Sequence, residues 1–231
     1  MPGVVAYPLA ENIQSFFLSC CCAGVRSSGS VSLFMNRPAG NMSGTMDIFS
    51  SHSLVMLMIT TSPSVRFIPL QESELGRINE LSNLPEIAEH FETIPPVPIE
   101  VTKANWSYIQ NGIMSLWGIH ADGKIIGGAG FYSQPPGTRL SHSAVFFLYI
   151  EKAYWGKGIG RKAIAFLEDE VKNRGFVRME CMVADTNPRA VRLYEEMGYQ
   201  LEGVKKGAFL IDGKYADLKL MGKVFPHDTM K

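Results

Sequence analysis

The chain has 231 residues, 22 basic against 22 acidic, so its formal net charge is zero. A nucleic-acid binder usually carries a basic excess or stripe, and that class is set aside. Of four cysteines, three are consecutive (Cys20, Cys21, Cys22) and Cys181 stands alone; there is no CxxC pair, and the histidines lack ligand spacing. Neither a disulfide framework nor a metal site is expected, which points to a reducing, cytoplasmic setting.

Composition changes near residue 65. Upstream, the only charged side chains are Glu11, Arg26, Arg37 and Asp47, among many serines and half of the methionines. The apolar run "LVMLMI" (54–59) is too short to span a bilayer. No Lys/Arg-led region precedes a hydrophobic core, so a secretory signal is not expected. Residues 1–64 read as a poorly ordered extension. A start at Met56 or Met58, a transit peptide and a folded element remain open for it. Residues 65–225 read as one domain, long enough to bury a core, and 226–231 as a tail.

Within the domain, "VRFIPL" (65–70) predicts a strand, and 73–91 a helical stretch broken at Pro85. The prolines of "TIPPVPIE" (93–100) predict a surface loop, followed by a short helix over 102–110. "MSLWGIHADGKIIGGAGFYS" predicts a hairpin turning at Asp122-Gly123. After a loop at 133–141, "SAVFFLYI" (143–150) is a nearly continuous apolar strand of the kind covered on both faces. A helix is expected from about Ile159 to Arg174, with Ile164, Leu167 and Val171 inward and Glu168, Asp169, Glu170 and Lys172 outward; Gly175 ends it. "FVRMECMVA" (176–184) reads as a strand. Asn187 caps the next helix with Pro188 at its first position, Ala190, Leu193, Tyr194 and Met197 form its apolar stripe, and Gly198 stops it. A last hairpin turns at Asp212-Gly213.

The stretch "YWGKGIGRKA" (154–163) sets three glycines at alternate positions where a strand passes into a helix. Helix N-termini present unpaired N–H groups and partial positive charge, so this is phosphate-binding geometry. Gly156, Gly158 and Gly160 admit a close ligand, and Lys157, Arg161 and Lys162 add positive charge. The dinucleotide fingerprint fails, because its last glycine falls on Arg161, and the Walker pattern is absent. A plain glycine-rich turn would look much the same.

Residues 143–200 together resemble the GNAT family of acetyl-CoA-dependent N-acetyltransferases. "WGKGIG" matches the glycines of that family's Q/R-x-x-G-x-G/A pyrophosphate loop, with Trp155 in place of Gln or Arg. "NPRAVRLYEEMGY" (187–199) looks like its N-x-x-A-x-x-L-Y-x-x-x-G-F/Y helix. The resemblance covers about 65–225 and implies an α+β fold: a mixed, mostly antiparallel V-shaped sheet flanked by helices, with 143–150 and 177–184 splayed. It implies that the pantetheine arm pairs with backbone of Leu148, Tyr149 and Ile150. The pyrophosphate would lie on Gly156, Lys157, Gly158, Ile159, Gly160 and Arg161. Asn187 would help hold the arm, although a plain helix cap accounts for it too.

By the same resemblance Tyr194 protonates the departing thiolate, a role general acid catalysis needs; the alternative is a ring that merely fills the stripe. The family's usual carboxylate positions fall on Ala144 and Met182, so the base is open. Glu180 shares a strand face with Met182, His142 stands in the same relation to Ala144, Glu151 is weaker, and a water relay is a further option. Substrate choice is expected from 90–100, where Glu92 and Glu100 could attract a cationic amine, from 133–141 and from the final hairpin. The expected reaction is direct transfer from acetyl-CoA, without metal, to a small-molecule amine or amino acid; Cys181 has no evident activating partner. A protein N-terminus is the alternative acceptor, and a non-catalytic acetyl-CoA-binding module the rival. No membrane partner is expected, and a homodimer is left open.

Overall fold

The computed structural model describes residues 64–226. The expectations for the N-terminal segment and the tail fall almost wholly outside them. Seven strands form one open sheet in the order β1-β2-β3-β4-β5-β7-β6. They are β1 (Arg66–Pro69), β2 (Met114–Ala121), β3 (Lys124–Ser133), β4 (Ser143–Ile150), β5 (Arg178–Ala184), β6 (Gln200–Ile211) and β7 (Lys214–Val224). Every neighbouring pair is antiparallel except β4 and β5, which run parallel. That exception requires a crossover, and the helix after the glycine stretch supplies it.

Both hairpins turn where the sequence places them. Asp122 and Gly123 have φ of 52° and 77°, Asp212 and Gly213 47° and 74°, as a primed two-residue turn demands. The helices are α1 (Leu75–Ser82), α2 (Pro85–Ala88), α3 (Ile99–Gln110), α4 (Ile159–Asn173) and α5 (Pro188–Glu196). Pro85 does more than break a helix: it stands in the first turn of α2. The helix expected over 102–110 starts earlier, at Ile99, because Pro98 holds extended backbone at the N-cap (φ −63°, ψ 148°) and leaves the next turn free to form.

The sheet separates two apolar layers. On one face α4 and α5 bury Ile164, Leu167, Val171, Leu193 and Tyr194 against Phe146, Leu148 and Met179. On the other, α1 and α2 bury Leu75, Ile78 and Ile87 over Met114, Phe147 and Tyr149, with Trp106 and Ile109 of α3 packed against them. One outward assignment is corrected. Glu168 is buried; both its oxygens accept hydrogen bonds from Lys223 Nζ, at 2.8 and 2.9 Å, and the same ammonium donates to the Met197 carbonyl at 2.8 Å. A charge is admitted to this layer because a partner on β7 meets it.

Candidate active site

The site begins where two strands part. β4 and β5 share only three rungs, Ser143↔Arg178, Ala144↔Met179 and Val145↔Glu180. From Phe146 onward β4 has no strand on that side. Backbone direction in this stretch follows from its contacts. Glu151 N–H bonds to the Ile126 carbonyl of the β3 side, and the His142 carbonyl accepts from Val177 on the β5 side. Alternation then turns Phe146, Leu148 and Ile150 towards the gap, and Tyr149 towards β3, where it pairs with Gly128. Of the three residues expected to pair with a ligand through their backbone, Leu148 and Ile150 are so directed and Tyr149 is not. The Ile150 carbonyl is already engaged, accepting the Trp155 indole N–H at 2.6 Å.

The glycine turn closes one end of the gap. Gly156 and Gly158 have φ of 75° and 74°, left-handed values that cost a side-chain-bearing residue about 1–2 kcal/mol. Nothing lies within 4 Å of where a Cβ of Gly158 would stand, so the turn leaves open space in front of it. Gly160 lies inside α4, buried. The first bond of the helix runs from Lys162 N–H to the Gly158 carbonyl at 3.2 Å. The N–H groups of Ile159, Gly160 and Arg161 therefore precede the helical ladder, beside the positive end of a 15-residue helix.

Around this cradle the cations are less available than the sequence suggests. Arg161 is paired with Glu196 and also reaches Met197 Sδ at 3.4 Å. Lys157 lies over the Tyr154 ring at 4.6 Å. Arg189, which the sequence reading did not single out, stacks on Trp155 at 4.3 Å; the tryptophan in place of the family's Gln or Arg was its only signal. Asn187 is buried, and its Oδ1 accepts the Ala190 N–H at 3.1 Å, so its capping role is real.

Tyr194 lies directly under the fork. Its ring meets Phe146, the first residue beyond the last rung, edge-on at 5.2 Å and 90°, and Tyr199 at 5.9 Å. Burial raises its phenol above the ordinary tyrosine value, so it stays protonated.

Through the fork, on the opposite face, opens a cavity of about 320 Å³ walled by Tyr132, Val145, Glu180, Met182, Lys205 and Leu220. Glu180 does line it, but Arg178 Nε donates to that carboxylate at 2.9 Å and Nη1 to Glu202 at 2.8 Å. The arginine crosses Gly222 to do so; a Cβ there would stand 2.5 Å from Arg178 Nη2. The guanidinium holds Glu202 below the usual carboxylate range. His142 is exposed and precedes the paired rungs, so the fold does not bring it to the cavity. Glu151 is held by Arg77 at 2.9 Å. Glu92, half-buried, lies within electrostatic reach of Lys205 on the cavity wall, while Glu100 is exposed. Burial pushes the Cys181 thiol well up, which makes it a poor nucleophile. Among the described residues no group of three or more His, Cys, Asp or Glu side chains is placed to hold a metal ion, and no helix is long and apolar enough to cross a membrane.

Comparison with known proteins identifies the fold and the family. The spermidine N(1)-acetyltransferase of Escherichia coli (strain K12) is 23% identical over 173 residues, covering 72% of this chain and 89% of that protein. The structure of the Vibrio cholerae spermidine N-acetyltransferase in complex with CoA and spermine superposes with a TM-score of 0.63 at 24% identity, over 69% of this chain and 95% of that one. A ribosomal-protein-alanine N-acetyltransferase from Brucella melitensis gives a TM-score of 0.60 at 22% identity, over 70% and 99%. The profile of the acetyltransferase (GNAT) family matches residues 81–199, just over half of the chain. The chain belongs to that family and is an N-acetyltransferase.

Proposed function

We propose that the protein moves the acetyl group of acetyl-CoA to the primary amine of a small molecule seated in the cavity beside Glu180 and Lys205. The observation that carries this reading is the fork itself. On one face it has Tyr194 and the α4 turn, on the other a cavity, and the last rung, Val145↔Glu180, borders both.

The residues fit the cofactor. The three free N–H groups at the start of α4 and the open space before Gly158 suit a pyrophosphate, and the gap-facing backbone of Leu148 suits an amide-bearing arm. Bound there, acetyl-CoA supplies an acetyl group activated as a thioester. Tyr194 supplies the proton that a leaving sulfur needs, its phenol held neutral by burial. Asn187 fixes the start of α5 and so the height of Tyr194 two turns on.

The cavity also bears on the acceptor. Its carboxylates, Glu180 and Glu202, share Arg178, and Lys205 adds a positive charge. Repeated unmatched carboxylates, the feature a polycation would seek, are not what this wall offers. A single amine on a largely apolar body suits it better. CoA-thiol release should be measured with separate pools of amino acids and alkylamines, polyamines, and peptides with free N-termini. Release is expected in the first pool and not with the peptides. Turnover confined to peptides would move the assignment to protein N-termini, and acetyl-CoA binding without any turnover would make the protein a binding module.

A further inference from the structure

The cavity beside the fork is charged unevenly. Arg178 spends Nε, Nη1 and Nη2 on Glu180 and Glu202, and both oxygens of Glu202 receive it. On Glu180 it engages one oxygen, Oε2, from Nε at 2.9 Å and Nη2 at 2.8 Å. Glu180 Oε1 makes no hydrogen bond among the described residues. Two carboxylates against one guanidinium leave this end of the cavity one negative charge in excess.

The other end is positive. Lys205 stands on β6 opposite Leu218 of β7. Its side chain reaches back over β7 to β5, where Nζ lies 3.6 Å from Met182 Sδ. A thioether is a weak acceptor and carries no charge. No carboxylate lies within ion-pair distance of this ammonium among the described residues; Glu92 and Lys205 interact only through space. Glu180 and Lys205 wall the same space of about 320 Å³, with Val145, Leu220 and Met221 as apolar lining.

We propose that the acceptor is an α-amino acid with an apolar side chain, its ammonium received by Glu180 Oε1 and its carboxylate by the Lys205 ammonium. This rests on the acetyl-transfer reading above and narrows it from amines at large to zwitterions. Glu180 stands on the last rung, so the amine lies at the end that borders the fork. Met182, which marks the position of Lys205 Nζ, is two residues further along β5, about 7 Å. In an α-amino acid the charged groups are about 3 Å apart, and a charge-assisted bond adds about 2.8 Å at each end, which spans that interval. Arg178 cannot take the carboxylate, because its donors are spent. An alkylamine offers Lys205 nothing, a polyamine brings a second cation towards it, and a peptide N-terminus presents an uncharged amide where the carboxylate should be. Lys205 therefore selects against all three.

The test is steady-state kinetics with two matched pairs, L-leucine against 3-methylbutylamine and L-phenylalanine against 2-phenylethylamine. Within each pair the carboxylate is the difference. The wild type, Lys205→Met and Lys205→Arg are compared, with acetyl-CoA affinity measured alongside as the check on folding. An amino acid's amine is intrinsically the more acidic, which favours it in every variant alike, so the quantity read is the change in the ratio of kcat/KM within a pair. In at least one pair that ratio should fall about tenfold or more in Lys205→Met, through a higher KM for the amino acid, while Lys205→Arg keeps most of it. A ratio unchanged in both pairs, or turnover of alkylamines, polyamines or peptides alone, would overturn the proposal and leave acetyl transfer standing. Silence of the wild type towards every acceptor would overturn the transfer reading instead. Calorimetry with L-leucine and L-phenylalanine then judges the site by itself. Binding that is lost in Lys205→Met supports it, and binding that is absent from the wild type or unchanged in the variant overturns it.

Discussion

Tyr194 owes its suitability as a donor to burial. Beneath Phe146 and beside Tyr199, its phenol meets too little water to stabilise a phenolate, so the proton is present at every working pH. Tyr194→Phe keeps the ring and its edge contacts and removes only the hydroxyl that carries that proton. Turnover should drop about 100-fold or more, while acetyl-CoA affinity by calorimetry stays within about twofold. Unchanged turnover would show that the ring is there for packing. The position of Tyr194 was legible because Leu193-Tyr194 sits at fixed spacing from Asn187 on a short helix, where local sequence dictates geometry; the acid role came from the resemblance and is what this variant tests. Glu180 was legible only by its strand face. The sequence could not announce that Arg178 and Glu202 would meet it, since Glu202 comes from another strand and reaches Arg178 across Gly222.

Elements show the same division between local and distant causes. Hairpin turns and the two last helices follow from Asp-Gly pairs, Asn187-Pro188 and apolar spacing, all within a few residues of the feature they set. Glu168 does not follow from such spacing. Its position on α4 becomes acceptable only because Lys223, fifty-five residues later, places an ammonium against it and against the end of α5. Lys223 fastens β7, α4 and α5 at one point. Lys223→Met leaves the carboxylate buried with Lys172, 3.9 Å away, as the remaining cation paired with it among the described residues. The loss in stability should be about 2–3 kcal/mol by urea denaturation, below the figure for a fully buried pair because Lys223 is partly exposed. Adding Glu168→Gln should recover part of it. A loss within 0.5 kcal/mol, on the order expected of a surface pair, would show that the contact is incidental.

At the scale of the molecule the sheet is two antiparallel blocks, β1 to β4 and β5 with β7 and β6, joined by three parallel rungs. A ligand entering the gap adds contacts between the blocks that the protein alone does not make. Hydrogen exchange should report this at single-residue spacing. On adding coenzyme A, protection should rise at Leu148, whose N–H faces the gap, and stay as it was at Tyr149, whose N–H faces β3. Equal changes at both would mean that the ligand tightens the whole strand and does not pair with its edge.

Trp155 carries a consequence of a different kind. Its indole N–H is fixed on Ile150, and the cations of Arg189 and Lys152 lie over its ring at 4.3 and 5.9 Å, all at the mouth where a nucleotide would enter. Trp106 has its indole on the wall of a second, smaller cavity, and Trp117 is shut in the core. The three emitters are thus divided by compartment. One stands at the mouth proposed for the cofactor, one lines a separate cavity under α1 and α3, and one is shut in the core, so a change in emission on adding coenzyme A can be assigned to Trp155 by its loss in Trp155→Phe.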